Sequence, residues 1–302
     1  MATPSRTAVL AILLAGALAL AGCGAGAPAG GGLSVVAAEN FWGSIAKQLA
    51  GSKASVASII VNPNTDPHSY DPTPSDARAL AGAKLAIVNG IGYDNWAPKL
   101  IAADPLAGRI TLDVGALLGL RDGDNPHQWY SPGSVNRVAA AITADLTRLE
   151  PADRAYFSAR ERAFETTGLA HYHALIRQIR ARYHGVAVGY SESIFQPLGH
   201  ALGLALLTPY SFAKAIAEGT DVTASDKQIV DRQAQRHLIK VWVFNSQNVT
   251  PDVERVNQLA RAAGIPIATV TETLSPASDS FQQWQVSELE ALLAALERAG
   301  AR

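Results

Sequence analysis

Short apolar runs alternate with helix-like runs along nearly the whole chain, and this alternation limits the fold more than any single motif does. Residues 33–38, 54–61, 85–88 and 110–114 read as strands. Helical segments follow at 41–50, 75–83 and 96–103, and Ser131-Pro132 opens another that runs to about Leu149. The second half repeats the scheme. Strands at 186–188, 205–207, 240–244 and 267–270 are interleaved with helices at 195–202, 212–218, 225–237, 253–263 and 281–299. Buried strands separated by helices give a mostly parallel sheet covered on both faces. Right-handed crossovers then bring the loops that follow the strands to one sheet edge.

Between the two halves lies a longer pattern. Phe157, Phe164, Tyr172, Ile176, Ile179 and Tyr183 form one apolar stripe from Pro151 onward. A helix of thirty residues spans about 45 Å, enough to run past one lobe and join it to another. Thr166, Thr167 and Gly168 weaken its middle, where a bend or fray is expected. The fold expected is therefore α/β: two lobes with parallel-sheet cores, at 33–150 and 186–302, joined by a long backbone helix at 151–185.

The beginning of the chain reads differently. A weakly basic segment, 1–6, precedes an apolar run at 8–21. That run falls short of the roughly 20 residues needed to span a bilayer and reads as a signal-peptide core. It ends in Leu20-Ala21-Gly22-Cys23, which resembles a bacterial lipobox. The resemblance implies a signal peptide at 1–22, cleavage before Cys23, and a diacylglycerol on its sulfur. Cys23 is the single cysteine, so no internal disulfide is available. Residues 23–32 are a Gly/Ala/Pro-rich flexible tether. A lipid-anchored protein on the extracytoplasmic face of the cell membrane is expected. Net charge is −1 with a sequence pI of about 6.7, and no basic block points to nucleic acid. We expect a monomer.

Two loops carry the chemistry. Asp66-Pro67-His68 sits in a Pro- and Asp-rich stretch after the second strand, and Asn125-Pro126-His127 follows the fourth. Each presents one histidine on a rigid turn. Glu192 and Glu272 end strands of the second half. Imidazole and carboxylate are ligands of first-row divalent ions, and two of each would neutralise the ion's charge. The long spacing between the four means that only the fold could bring them together.

The chain resembles the metal-binding solute-binding lipoproteins of manganese- and zinc-importing ABC transporters, the cluster A-I family. The resemblance rests on the stretch from Asp66 to Asp76, on Asn89-Gly90, and on Asn125-Pro126-His127-Gln128-Trp129. Further on it rests on Ser191-Glu192-Ser193-Ile194-Phe195 with Leu202-Gly203-Leu204, and on Gly264-Ile265-Pro266 with Thr271-Glu272-Thr273-Leu274. It implies two lobes around a metal cleft, with His68, His127, Glu192 and Glu272 as ligands to Mn2+ or Zn2+ and an ABC permease as partner. The fourth position is usually Asp, so Glu272 is a departure, longer by one methylene. The His-rich acidic loop of zinc-specific members is absent between the first two ligands. A glutamate in third position is similar to manganese-binding members, yet two His and two carboxylates also bind zinc well. Around the ligands, Tyr70 and Asp71 are expected to orient His68, Trp129 to wall the cleft beside His127, and Tyr190 to support Glu192.

Two other classes compete with metal capture. One is a metal-dependent hydrolase using the same cleft, with Glu272 as base and water as fourth ligand; no HExxH-type motif supports it. The other is the related backbone-helix class that carries siderophores or corrinoids, for which a wide cleft lined by Arg and aromatics would be needed. His171, His173, His184, His200 and His237 lack a Pro frame and read as ordinary histidines. Trp96 and Trp284 read as packing residues.

Overall fold

The computed structural model describes residues 32–63, 65 and 67–301, and for His68 the backbone alone. The expected signal peptide, Cys23 and most of the tether lie outside the described residues. Among the described residues, no helix is long and apolar enough to cross a membrane.

The first half runs β1 (Leu33–Glu39), α1 (Asn40–Ala50), β2 (Ala54–Ile60), α2 (Pro74–Ala81), β3 (Leu85–Val88), α3 (Trp96–Ala103), β4 (Ile110–Asp113), α4 (Val114–Leu118) and α5 (Pro132–Leu149). After α6 (Arg154–Ala163) and α7 (Ala170–Tyr183) come β5 (Ala187–Tyr190), α8 (Gln196–Ala201), β6 (Ala205–Leu206), α9 (Tyr210–Ala217) and α10 (Ala224–Gln235). The chain ends with β7 (Val241–Asn245), α11 (Pro251–Ala262), β8 (Ile267–Val270) and α12 (Phe281–Arg298). The strands form two four-stranded sheets, ordered β2-β1-β3-β4 and β6-β5-β7-β8. Every pairing is parallel.

Helix starts follow local chemistry. Ser131 accepts from the Ser134 amide with Pro132 in the first turn, so α5 opens where the sequence marks it. The cap of α2 is Thr73. Its hydroxyl and the Asp76 carboxylate exchange hydrogen bonds with the opposing backbone amides in a capping box. Asn40, the first residue of α1, points its side chain across the lobes instead of capping. Its Oδ1 accepts the Leu274 amide at 3.3 Å, and Glu39 holds the cap position without a side-chain bond.

The connection between sheets follows the predicted stripe but is not one regular helix. A 3-10 turn (Pro151–Asp153) leads into α6, and a π turn (Phe164–Gly168) separates α6 from α7. There the Leu169 amide reaches back five residues to the Phe164 carbonyl at 2.8 Å. Thr166 spends its hydroxyl on the Arg162 carbonyl, a local bond that competes with regular helix. Phe157, Phe164, Tyr172, Ile179 and Tyr183 are all buried in one apolar cluster with side chains from both sheets and from α12. A single core therefore runs from the first lobe through α7 into the second. Polar contacts add to it: the Phe281 amide donates to Ser44 at 2.9 Å, and Gln48 and Gln282 pair through their amides.

Candidate metal centre

The C-terminal ends of the strands deliver the polar groups. Glu39 ends β1, Asn89 follows β3, Glu192 follows β5, Asn245 ends β7 and Glu272 follows β8. All are buried, as is His127 in the loop before α5. Apolar strands leave only these end positions for groups that need a polar partner.

His127, Glu192 and Glu272 offer ligand atoms that all lie within 4.8 Å of one another. His127 Nε2 is 3.5 Å from Glu272 Oε1 and 3.9 Å from Glu192 Oε1. Ligand atoms each about 2.0–2.2 Å from an ion stand no more than about 4.4 Å apart, a limit that both distances from His127 meet. His68 lies in a 3-10 turn (Pro67–Ser69), but its side chain lies outside the described residues.

The imidazole is set by its neighbours. Asn125 Nδ2 donates to the Ser193 carbonyl at 2.8 Å and to Gln196 Oε1 at 3.2 Å, which fixes the direction of its amide. Asn125 Oδ1 must then accept from His127 Nδ1, 2.8 Å away, and it also accepts the His127 amide at 3.1 Å. With the proton on Nδ1, the Nε2 lone pair faces the two carboxylates. Burial pushes the imidazole down to about 4, against the pull of Glu192, so the ring is neutral at pH 7 and in the form that binds metal.

The carboxylates are held as firmly. Asn245 Nδ2 donates to Glu192 Oε2 at 2.9 Å and to Glu272 Oε1 at 3.2 Å, one N–H to each. Asn248 adds a bond to Glu192 Oε2 at 3.2 Å, and Tyr93 donates to Glu272 Oε2 at 2.8 Å. Gln247 Oε1 accepts the amides of Glu272 and Thr273. Burial and then the charge of Glu272 hold the Glu192 carboxyl well above the usual range. A buried pair of carboxylates this close calls for a cation or a proton between them.

The expected supporting residues divide. Trp129 stacks on Phe41 with centroids 3.9 Å apart and meets the His127 ring edge-on at 5.2 Å, so it packs behind the imidazole. Tyr70 gives its hydroxyl to Asp76 at 2.7 Å, packs on Trp96, and so braces the start of α2. Asp71 is exposed. Tyr190 is buried against Phe195, while the donors to Glu192 are Asn245 and Asn248. Trp284 does more than pack: its Nε1 donates to Thr271 Oγ1 at 2.7 Å, beside Glu272. The sequence reading missed Tyr93, Asn125, Asn245, Gln247 and Asn248. Of these, Asn245 carries a usable signal, a polar residue closing an apolar strand on the loop edge.

A cavity of about 340 Å³ reaches Glu272 between Pro63, Thr65 and Ser69 of the first lobe and Ile216, Glu218 and Gln247 of the second. It gives a small solute a way to Glu272.

The chain matches the family profile described as zinc-uptake complex component A, periplasmic, over residues 35–295. It is 31% identical over 160 residues to the manganese-binding lipoprotein MntA of Halalkalibacterium halodurans, covering 51% of this chain and 53% of that protein. Over 284 residues it is 24% identical to the metal ABC transporter substrate-binding lipoprotein SloC of Streptococcus mutans, covering 85% and 89%. The chain spans about half the length of the first curated relatives it matches. In fold it is similar to a periplasmic metal binding protein from Candidatus Liberibacter asiaticus, with a TM-score of 0.72 at 19% identity over 87% of this chain and 99% of that one. By its match to the profile across most of its length, the chain belongs to the family described as zinc-uptake complex component A, periplasmic.

Proposed function

We propose that this chain is an extracytoplasmic solute-binding protein that captures Mn2+ or Zn2+ and hands it to an ABC permease. The observation that carries this reading is the convergence of His127 Nε2, Glu192 and Glu272 on one ion-sized point. His68 is the fourth ligand. Two neutral imidazoles and two carboxylates balance a divalent charge in a buried setting, which lowers the cost of desolvating the ion. Four protein ligands leave no open position for a substrate or activated water, so the ion is cargo rather than a catalyst. The names of the relatives, a manganese-binding lipoprotein and a metal-transporter lipoprotein, support the same reading. Nothing in the donor set separates manganese from zinc.

The organisation follows. Residues 1–22 direct export, Cys23 carries the lipid, 23–32 tether the protein, and the lobes are 33–150 and 186–302 with 151–185 between them. The partner is the permease, and the protein works at the membrane surface as a monomer.

The test is competitive calorimetric titration of Mn2+ and Zn2+ into the mature protein and into H68A, H127A and E272Q. H68A and H127A should each lose most of the affinity, and E272Q, which keeps an oxygen but loses its charge, should lose less. An unchanged affinity in H127A would overturn the assignment.

A further inference from the structure

Glu39 ends β1 and stands at the N-terminus of α1. Its side chain is fully buried, and apart from its own backbone amide no N–H among the described residues serves its carboxyl oxygens. A buried carboxylate served by so little is costly to leave ionised. Within hydrogen-bonding reach lies Asp94, also fully buried. Asp94 is differently served: its Oδ2 accepts the Asn89 amide at 2.7 Å and its Oδ1 the Gly90 amide at 2.8 Å. Two carboxyls sharing a dry site cannot both ionise, and the backbone amides decide which one does.

We propose that Glu39 is held as a neutral carboxylic acid that donates its hydrogen bond to Asp94, and that through Asp94 it positions both halves of the metal centre. Burial acts in the same direction, raising Glu39 well above the usual range and Asp94 only to about 6. The other titratable groups facing Glu39 are Tyr93, a neutral phenol, and Glu272, and the charge of Glu272 adds to the case for a neutral acid.

The route to the site runs through the turn from Asn89 to Asp94. Asp94 closes that turn by binding its first two amides. The Asn89 side chain accepts from Trp42 Nε1 at 3.0 Å and donates to the Pro126 carbonyl at 3.1 Å, directly before His127. Tyr93, directly before Asp94, donates to Glu272. One acid–carboxylate pair therefore anchors a turn that touches the His127 loop on one side and a carboxylate ligand on the other. Glu39 is a positioning residue, and that role rests on the metal-binding reading; its protonation state does not.

Two measurements on the full chain test this. The infrared difference spectrum of metal-free wild type minus E39Q at neutral pH should contain the carbonyl stretch of one protonated carboxylic acid. The subtraction cancels any other neutral acid, and absence of the band would overturn the proposal. In Mn2+ and Zn2+ titrations, E39Q should keep the affinity within about twofold, because its amide N–H replaces the acid as donor to Asp94. E39A should lose about tenfold or more, the scale of a lost supporting contact. A loss in E39Q equal to that in E39A would show that Glu39 acts as a charge, and full affinity in E39A would show that it positions nothing; either overturns the proposal. If wild type binds neither ion, the proposed function fails, while the infrared band still decides the state of Glu39.

Discussion

Tyr93 of the first lobe donates its hydroxyl to Glu272 of the second at 2.8 Å, and both groups are buried. The bond joins the lobes at a metal-facing carboxylate. It also holds Oε2, leaving Oε1 turned toward His127 Nε2. In Y93F the ring and its packing against Trp129 are kept and the donor is lost. Metal affinity should fall by about tenfold, within the range seen for contacts that orient ligands. Calorimetric titration checks it, with the unfolding midpoint of the metal-free protein as control for packing.

The architecture was readable because its signals are local. Apolar strands buried on both faces and capped helices need only their own residues to be recognised, and the two parallel sheets follow. The break at Phe164–Gly168 was visible in Thr166, Thr167 and Gly168, though not as a π turn. The metal-facing groups were legible where a Pro frame or a strand end marked them. The network that holds them was not. Asn245 touches Glu192 and Glu272, which are 53 and 27 residues away, and Tyr93 touches Glu272 from 179 away. No periodicity encodes such contacts. Nearness in sequence suggested Tyr190 and Tyr70 as supports for ligands; Tyr70 gives its hydroxyl to Asp76, and Tyr190 packs on Phe195.

Asn245 spends both amide hydrogens on the two carboxylates, so it sets their spacing. N245A should weaken metal binding by roughly 10–100-fold. N245D makes a sharper prediction. It puts a third carboxylate against Glu192 and Glu272, which should destabilise the metal-free protein at neutral pH through like-charge repulsion. Added Mn2+ or Zn2+ should recover more stability in N245D than in N245A, because the ion neutralises the added charge. Thermal unfolding with and without metal distinguishes the two variants.

An ion that binds the folded chain alone stabilises it by mass action. At 100 times the dissociation constant the gain is about 2.7 kcal/mol. For a chain of this size that is a rise of roughly 4–5 °C in the unfolding midpoint. H127A should show almost none of it. The comparison is a thermal melt of each protein with excess metal and with chelator. Equal shifts in wild type and H127A would place the ion elsewhere.

Glu288 of α12 makes the last prediction, on pH. It is half-buried behind Thr271 and accepts from Tyr130 at 2.6 Å, from Thr271 Oγ1 at 3.0 Å and from Trp284 Nε1 at 2.9 Å. Those donors favour the ionised form, but burial outweighs them and pushes the carboxyl up to about 8 from its ordinary 4.5. Between those values the folded chain keeps a proton that the unfolded chain has released. The stability this contributes is complete below pH 4.5, declines as pH rises, and is gone above about 8. E288Q cannot titrate, yet its amide oxygen still accepts from Trp284 and Thr271. The stability of E288Q relative to wild type should therefore climb with pH across that window, at up to about 1.4 kcal/mol per pH unit. The other raised carboxyls, Glu39 and Glu192, are common to both proteins and cancel in the difference. Denaturant unfolding of both proteins from pH 5 to 9 in chelator reads the slope, and a difference that stays level would mean that Glu288 is ionised in the folded chain.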